Sequence, residues 1–153
     1  MTNLKEQIHV DLTAAIKAKD SLTSGTLRMV LSAITNEEVS GKEARVLNDQ
    51  DLITVLNREA KKRKEAATAY DEAKRPELAD KERAELGIIQ AYLPEALSEE
   101  DLAKIISDAV AQVAASGSTG PSAMGAVMKI VSPQVSGRAD GGAVAAAVKS
   151  ALA

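Results

Sequence analysis

The sequence predicts an all-α protein, and three observations support this prediction. Apolar residues recur every three or four positions through each long segment, which is the spacing of one helix face. Tyr70 and Tyr92 are the only aromatic residues among 153. A core of Leu, Ile, Val, Met and Ala suits closely packed helices, whereas strands favour β-branched and aromatic residues. No segment has the alternating pattern of a strand.

The chain begins with two predicted helices. Leu4 and Ile8 start an apolar stripe at helical spacing, which defines the first helix. Asp20 or Ser21 then offers an N-cap for the second, and a Ser-Gly-Lys stretch follows its end. The predicted spans are residues 2–19 and 21–39.

Two more helices complete a predicted N-terminal bundle. Asn48 is placed to cap the third helix, and Asp49 and Asp51 lie in its first turn, at the positive end of the helix dipole. Pro76 breaks this helix, and the fourth helix ends before Pro94. The predicted spans are residues 49–73 and 79–91.

Three shorter helices are predicted for the rest of the chain. Ser98 is an N-cap followed by three acidic residues, and Leu97 can pack on Leu102 as a hydrophobic staple. Glycine-containing loops separate the helices. The predicted spans are residues 98–115, 122–131 and 140–152. We therefore divide the chain into an N-terminal helical bundle, 1–95, and a three-helix tail, 96–153.

Composition excludes several classes of site. The chain has no cysteine, so disulfides, thiolate metal sites and cysteine nucleophiles are excluded, and His9 alone cannot build a multi-histidine metal site. No run of eighteen apolar residues is present, and the N-terminus lacks the apolar stretch of a signal peptide. We expect a cytoplasmic protein with no membrane partner. With a net charge of -3, any nucleic-acid site has to be a local patch.

Charged residues fall on two predicted apolar helix faces. Arg63 lies near the centre of the apolar face of the third helix, and Glu38 lies on the apolar face of the second. Glu59, four residues before Arg63, is close enough to join them. Buried charges are tolerated when they are paired, so we predict a structural ion pair between Glu38 and Arg63, with Glu59 as a third member. The alternative is a carboxylate site for an acid–base step.

Several motifs resemble those of the GatB/YqeY family, and their order along the chain is the same. Upstream of residue 65, Thr26-Leu27-Arg28-Met29-Val30-Leu31 and Lys61-Lys62-Arg63-Lys64 are similar to segments of its stand-alone members. The motifs of the C-terminal part are Ala91-Tyr92-Leu93-Pro94 with Leu97-Ser98-Glu99-Glu100, then Met124-Gly125-Ala126-Val127-Met128-Lys129, then Gly137-Arg138-Ala139-Asp140-Gly141.

This resemblance implies an all-α protein whose tail is similar to the C-terminal tail of the GatB subunit of glutamine-dependent tRNA amidotransferase. That tail is thought to contact tRNA, so the resemblance implies a tRNA-binding or amidotransferase-associated module. It also implies kinship with carbon–nitrogen ligases that use glutamine as the amide donor. The parts that perform that chemistry lie outside the tail, so we expect no catalytic residue and no cofactor in this chain.

The predicted RNA- or anion-binding residues lie in the tail. Gly137 and Gly141 flank Arg138 just before a helix N-terminus, where backbone N–H groups and the helix dipole favour an anion. Arg138 can add bidentate phosphate contacts, and Lys129 and Lys149 supply further positive charge.

Other interpretations of the tail remain open. The glycines can instead serve a tight turn, with Asp140 capping the last helix and occupying its N–H groups. With two tyrosines, the chain cannot stack many bases, so RNA would be recognised by shape and backbone. The alternative function is a helical adaptor that binds a protein partner and has no nucleic-acid role. The oligomeric state is open.

Overall fold

A computed structural model describes residues 3–153, and this part of the chain is helical without strands, which confirms the predicted all-α class. It contains seven α-helices and one short 3-10 helix, Gly120–Ala123. The α-helices are α1 Leu4–Lys17, α2 Ser21–Glu38, α3 Asp49–Glu72, α4 Pro76–Gln90, α5 Glu99–Ala115, α6 Met124–Val135 and α7 Gly141–Leu152.

The chain divides into two compact units, Met1–Leu93 and Pro94–Ala153. The boundary predicted from the sequence, between residues 95 and 96, lies two residues further along the chain. In the N-terminal unit, α1 to α4 each contribute apolar residues to one core. Its most deeply buried large side chains are Ile8, Leu27, Val30, Ile34, Leu52, Leu56 and Ile89.

The C-terminal unit has a core of its own, built without aromatic residues. Each of its three α-helices buries a stripe of small or β-branched side chains at helical spacing, which lets the helices approach closely. The buried members are Ile106, Ala109, Val113, Ala123, Val127, Val131, Val135, Val144, Val148 and Leu152.

Side-chain caps start the helices where the sequence predicts them. The carboxylate of Asp20 accepts a hydrogen bond from the backbone N–H of Thr23 at the start of α2. Asn48 and Ser98 each accept from the N–H three residues later, at 2.9 and 3.0 Å. These bonds satisfy N–H groups that have no partner within the helix.

Proline accounts for two differences from the predicted helix bounds. Helix α4 begins at Pro76 rather than near residue 79, because the fixed φ of proline suits the first helical position. Helix α6 continues past Pro133 to Val135, whereas the prediction ends it near residue 131. Pro133 removes the backbone bond to the carbonyl of Lys129, but Val135 gains a place in the core. The free energy gained by burying Val135 outweighs the loss of this one backbone hydrogen bond.

The turn between α3 and α4 has a left-handed residue that is not glycine. The N–H of Arg75 donates to the carbonyl of Tyr70 at 2.8 Å, and the N–H of Lys74 donates to the carbonyl of Asp71 at 3.0 Å. This pair of bonds is a Schellman motif, and it holds Lys74 at φ 57. A side chain in this conformation is strained by its Cβ.

Replacing Lys74 with glycine should therefore stabilise the protein by about 0.5–1 kcal/mol, because glycine adopts this φ without strain. Chemical denaturation measures the free energy of unfolding. The matched control is Ala69→Gly on the exposed face of α3, which should destabilise by about 1 kcal/mol. Destabilisation by both substitutions would show that Lys74 is not strained.

Candidate functional site

Arg63 is a buried arginine surrounded by carboxylates. It is 8% exposed, and its Nε lies 3.0 Å from a carboxylate oxygen of Glu85. The same Nε lies 3.7 Å from Glu82, and Nη2 lies 4.0 Å from Glu59. The sulfur of Met29 contacts Nη2 at 3.7 Å. One cation of α3 is thus shared by two acids of α4 and one of its own helix.

The register of the α3–α4 hairpin explains why Arg63 meets Glu85. Arg63 lies nine residues before the end of α3, and Glu85 lies nine residues after the start of α4. In an antiparallel hairpin these positions are at the same level, and Glu82 is about one turn nearer the connection. The short connection at residues 73–75 therefore sets the pairing.

The predicted pair between Glu38 and Arg63 is wrong. Glu38 instead accepts hydrogen bonds from Lys5 of α1, at 2.7 and 2.9 Å. The helical wheel placed Glu38 correctly toward the interior, but it gives no position along the helix axis. Met29 marks the level of α2 that faces Arg63, and Glu38 lies nine residues further, about 13 Å along the helix.

Glu82 and Glu85 were missed, although α4 carries a signal for them. Both lie in the middle of its apolar stripe, between Ala79 and Ile89. A charge in such a stripe requires a partner, and the nearest inward-facing cation is Arg63. Since the acids contact this guanidinium, the cluster favours the structural interpretation over an acid–base site.

Replacing Arg63 with alanine should destabilise the protein by about 3–5 kcal/mol, because it leaves buried carboxylates without a cation. Glu38→Ala should cost less than about 1 kcal/mol, because its pair with Lys5 is partly exposed. Urea unfolding of both variants measures the contrast. Equal losses for the two would contradict the assigned pairing.

The basic run at residues 58–64 is largely neutralised by carboxylates. Arg58 donates to Glu37 at 2.9 Å, and Lys62 donates to Glu59 at 2.7 Å. The run also contains the buried arginine, whose charge is not available at the surface. This favours a solvated helix face over a strip of phosphate contacts.

The α6–α7 turn holds three of the predicted anion-binding residues. Gly137 adopts φ 75, which only glycine takes without strain, so the turn itself requires it. Arg138 is exposed, but its Nε donates to the carbonyl of Glu95 at 3.1 Å. The N–H of Leu97 donates to the carbonyl of Arg138 at 3.0 Å. These two bonds hold Arg138 in place.

Asp140 occupies part of the predicted anion site at the start of α7. Its carboxylate accepts from the N–H of Ala143 at 3.0 Å, as expected for an N-cap. Gly141 is the first residue of α7, and a Cβ added there would meet nothing within 4 Å. The helix terminus is therefore capped by its own acid, and Arg138 is the better placed group for an external anion.

Lys129 and Lys149 lie away from this turn. Lys129 is exposed on the side of α6 opposite its buried valines, six residues before the helix ends. Lys149 is exposed on a flank of α7, eight residues after it begins. They are thus about 9 and 12 Å along their helices from the turn.

The basic residues of the tail lie outside the ion pairs of the described residues, as do Arg28, Lys64 and Lys81 of the N-terminal unit. Within residues 3–153 the ion pairs given by the structure lie in the N-terminal unit. The basic residues of the tail take part in none of them; these are Lys104, Lys129, Arg138 and Lys149.

A family profile described as Yqey-like protein matches residues 5–152. The chain belongs to the YqeY-like family. The match covers both units, so neither unit is an addition to the family's architecture. The narrower kinship with the GatB tail is not part of this finding.

Fungal proteins are among the relatives of this YqeY-like chain. An uncharacterised protein of Schizosaccharomyces pombe is 33% identical over 93 residues, which cover 61% of this chain and 74% of that protein. The protein named altered inheritance of mitochondria protein 41, mitochondrial, from Kluyveromyces lactis is 35% identical over 99 residues, covering 63% and 53%. The protein of the same name from Pyrenophora tritici-repentis is 24% identical over 135 residues, covering 87% and 71%. The chain matches about half the length of several such relatives.

In residues 3–153 of this YqeY-like chain, no group of three or more His, Cys, Asp or Glu residues is arranged to hold a metal ion. No helix in the same range is long and apolar enough to cross a membrane.

Tyr92 makes a further polar contact inside the N-terminal unit. Its hydroxyl donates to the carboxylate of Asp11 at 2.5 Å, which joins α1 to the end of α4. Burial, this hydrogen bond and the negative charge of Asp11 together raise the pKa of Tyr92 above its ordinary value. The folded state therefore favours the neutral phenol.

The variant Tyr92→Phe should be less stable by about 1 kcal/mol at neutral pH, because Asp11 loses the hydroxyl that donates to its Oδ2. Since the folded pKa is raised, the hydroxyl's contribution is fully present below the unfolded pKa of about 10 and is lost as pH rises above it. Denaturation at pH 7 and at alkaline pH measures the difference between wild type and variant. A difference that grows with pH would contradict the assigned bond.

Proposed function

We propose that this YqeY-like protein is a non-catalytic RNA-binding module, whose C-terminal unit contacts the phosphate backbone of a folded RNA of the tRNA type. The observation that carries the proposal is the fixed position of Arg138. Its backbone carbonyl and its Nε are both held by the segment at residues 95–97. Within the described chain its two terminal nitrogens donate to no protein acceptor, so they can form a bidentate contact with a phosphate.

Charge and chemistry support phosphate rather than base contacts. The tail cations are outside the ion pairs found in residues 3–153, so an RNA would not have to break any of those pairs to reach them. Lys129 and Lys149 stand apart from Arg138 along their helices, which suits the spaced phosphates of a folded RNA. With only two tyrosines, base stacking contributes little.

The resemblance to the GatB tail is the reason for proposing tRNA as the class of RNA that is bound. A protein with such a tail and without the catalytic parts of the amidotransferase would act by holding tRNA, alone or together with that enzyme. We place this activity in the cytoplasm, and the cysteine-free sequence fits a reducing compartment. The names of the fungal relatives include the word mitochondrial. Co-fractionation with an organelle would contradict the cytoplasmic placement.

The adaptor alternative required an exposed apolar surface on the last helix. The large apolar side chains of α7 are buried, and its exposed positions are Gly, Ala, Ser and Lys. Within the described residues, the exposed large hydrophobic side chains lie in the N-terminal unit. Helix α7 therefore gives the adaptor alternative no specific support.

A labelled tRNA mixture, titrated with the protein at about 50 to 200 mM salt, tests the RNA proposal. We expect a dissociation constant in the micromolar range or tighter at low salt. The double variant Lys129→Ala/Arg138→Ala should bind at least about tenfold more weakly. Its log affinity should also fall less steeply with log salt concentration, with the magnitude of the slope reduced by about 1.5.

The matched control is Lys64→Ala/Lys81→Ala, which removes the same charge from exposed, unpaired positions of the N-terminal unit. It should bind RNA like the wild type. Equal weakening by both double variants would show that only net charge matters. Absence of binding at the lowest salt would reject the RNA function.

A further inference from the structure

A groove lies between α2 and α3 on the N-terminal unit. Its volume is about 590 Å³, within the range of pockets that bind ligands. Its apolar lining includes Met29 and Ala33 of α2 and Val55 of α3. Met29 is 46% exposed although it is large and apolar. The sulfur contacts Arg63, and the rest of this flexible side chain can adapt to an incoming apolar side chain.

The groove is long enough for a short helix. Its α2 wall is formed by residues spaced by four, at Arg28, Ser32 and Asn36, and Ser40 continues the lining just beyond the end of α2. Positions spaced by four lie on one side of a helix, and eight residues span about 12 Å. About two turns of a partner helix can lie along this wall.

The acids in the groove are each contacted by two cations. Glu37 pairs with Arg58 at 2.9 Å and with Arg45 at 3.6 Å. Glu59 pairs with Lys62 at 2.7 Å and is also within 4.0 Å of the buried arginine of α3. The carboxylates of the groove are therefore already neutralised by their neighbours.

Arg28 adds a charge that no carboxylate balances. It lines the groove, is exposed, and takes part in no ion pair in the described chain. The groove lining holds three cations and two paired acids, so its surplus charge is positive. An occupant with negative charge on its flanks matches this surface.

We propose that this groove binds an acidic amphipathic helix of a partner protein. Apolar side chains at positions i, i+3 or i+4, and i+7 of that helix contact Met29 and Ala33. Its acidic side chains face Arg28 and the cations of α3. The apolar surface of Met29 and Ala33 favours a peptide over RNA, because a nucleic-acid backbone has no apolar stripe to place there. The surface belongs to the other unit from the RNA proposal and does not depend on it.

The test uses the full chain and synthetic helix-forming peptides of about twelve residues, long enough to cover the α2 wall and extend beyond both of its ends. All peptides share one apolar stripe, and their flanks are acidic, neutral or basic. Fluorescence anisotropy measures binding, and amide chemical shifts show which residues respond. We expect the acidic peptide to bind tightest and to perturb residues 28–40 and 55–62.

Two substitutions separate the groove from general charge effects. Arg28→Glu should weaken the acidic peptide by about fivefold to tenfold at low salt and should improve binding of the basic one. The control Lys64→Glu changes the net charge equally outside the groove and should have little effect. Ser32→Trp, at an exposed position, should block all peptides by filling the groove. Circular dichroism confirms that each variant is folded.

Several outcomes would overturn the proposal. They are equal binding of the three peptides, no binding of any of them, equal effects of Arg28→Glu and Lys64→Glu, and chemical-shift changes outside the groove. Displacement of the acidic peptide by tRNA from these same residues would show instead that the groove is an RNA surface.

Discussion

The buried guanidinium of Arg63 is the interaction on which the N-terminal unit depends. A charge removed from water is costly unless acids surround it, and α4 supplies two of the three that do. The short connection at residues 73–75 sets the level at which α3 and α4 pack, and it brings Arg63 and Glu85, each nine residues from the connected helix ends, to the same level. Met29 of α2 covers the same guanidinium, so three helices meet at one charge. Met29 also lines the groove between α2 and α3.

The two units distribute their charges differently. In the N-terminal unit the basic residues of α3 are largely matched by acids, including the run that the sequence presents as its densest positive segment. The C-terminal unit is held by valine and alanine stripes and by side-chain caps, and its four cations are outside the ion pairs. Arg138 is held by the carbonyl of Glu95, and within the described residues the four cations take part in no ion pair, which supports the proposal that they contact a ligand. Arg138 is the residue whose fixed position supports the proposed RNA contact.

Helix caps could be predicted from the sequence, because they depend on neighbouring residues. The axial position at which residues of different helices contact each other could not. Asn48, Ser98 and Asp140 cap helices as predicted, because a cap needs only the residues that follow it. The burial of Arg63 was also predictable from its place in an apolar stripe. Its partner was not, because a helical wheel gives direction without axial position. The bond from Arg138 to the carbonyl of Glu95 joins residues 43 apart, and no local pattern encodes it.

The central claim is that Arg63 and Glu85 stabilise each other, and a double-mutant cycle tests it most directly. Arg63→Met, Glu85→Gln and the double variant are compared with wild type by the free energy of unfolding. Residues in one buried charge pair are coupled. We therefore expect the double variant to lose less free energy of unfolding than the two single variants lose in total, by about 1.5–3 kcal/mol. Additivity within about 0.5 kcal/mol would contradict the claim.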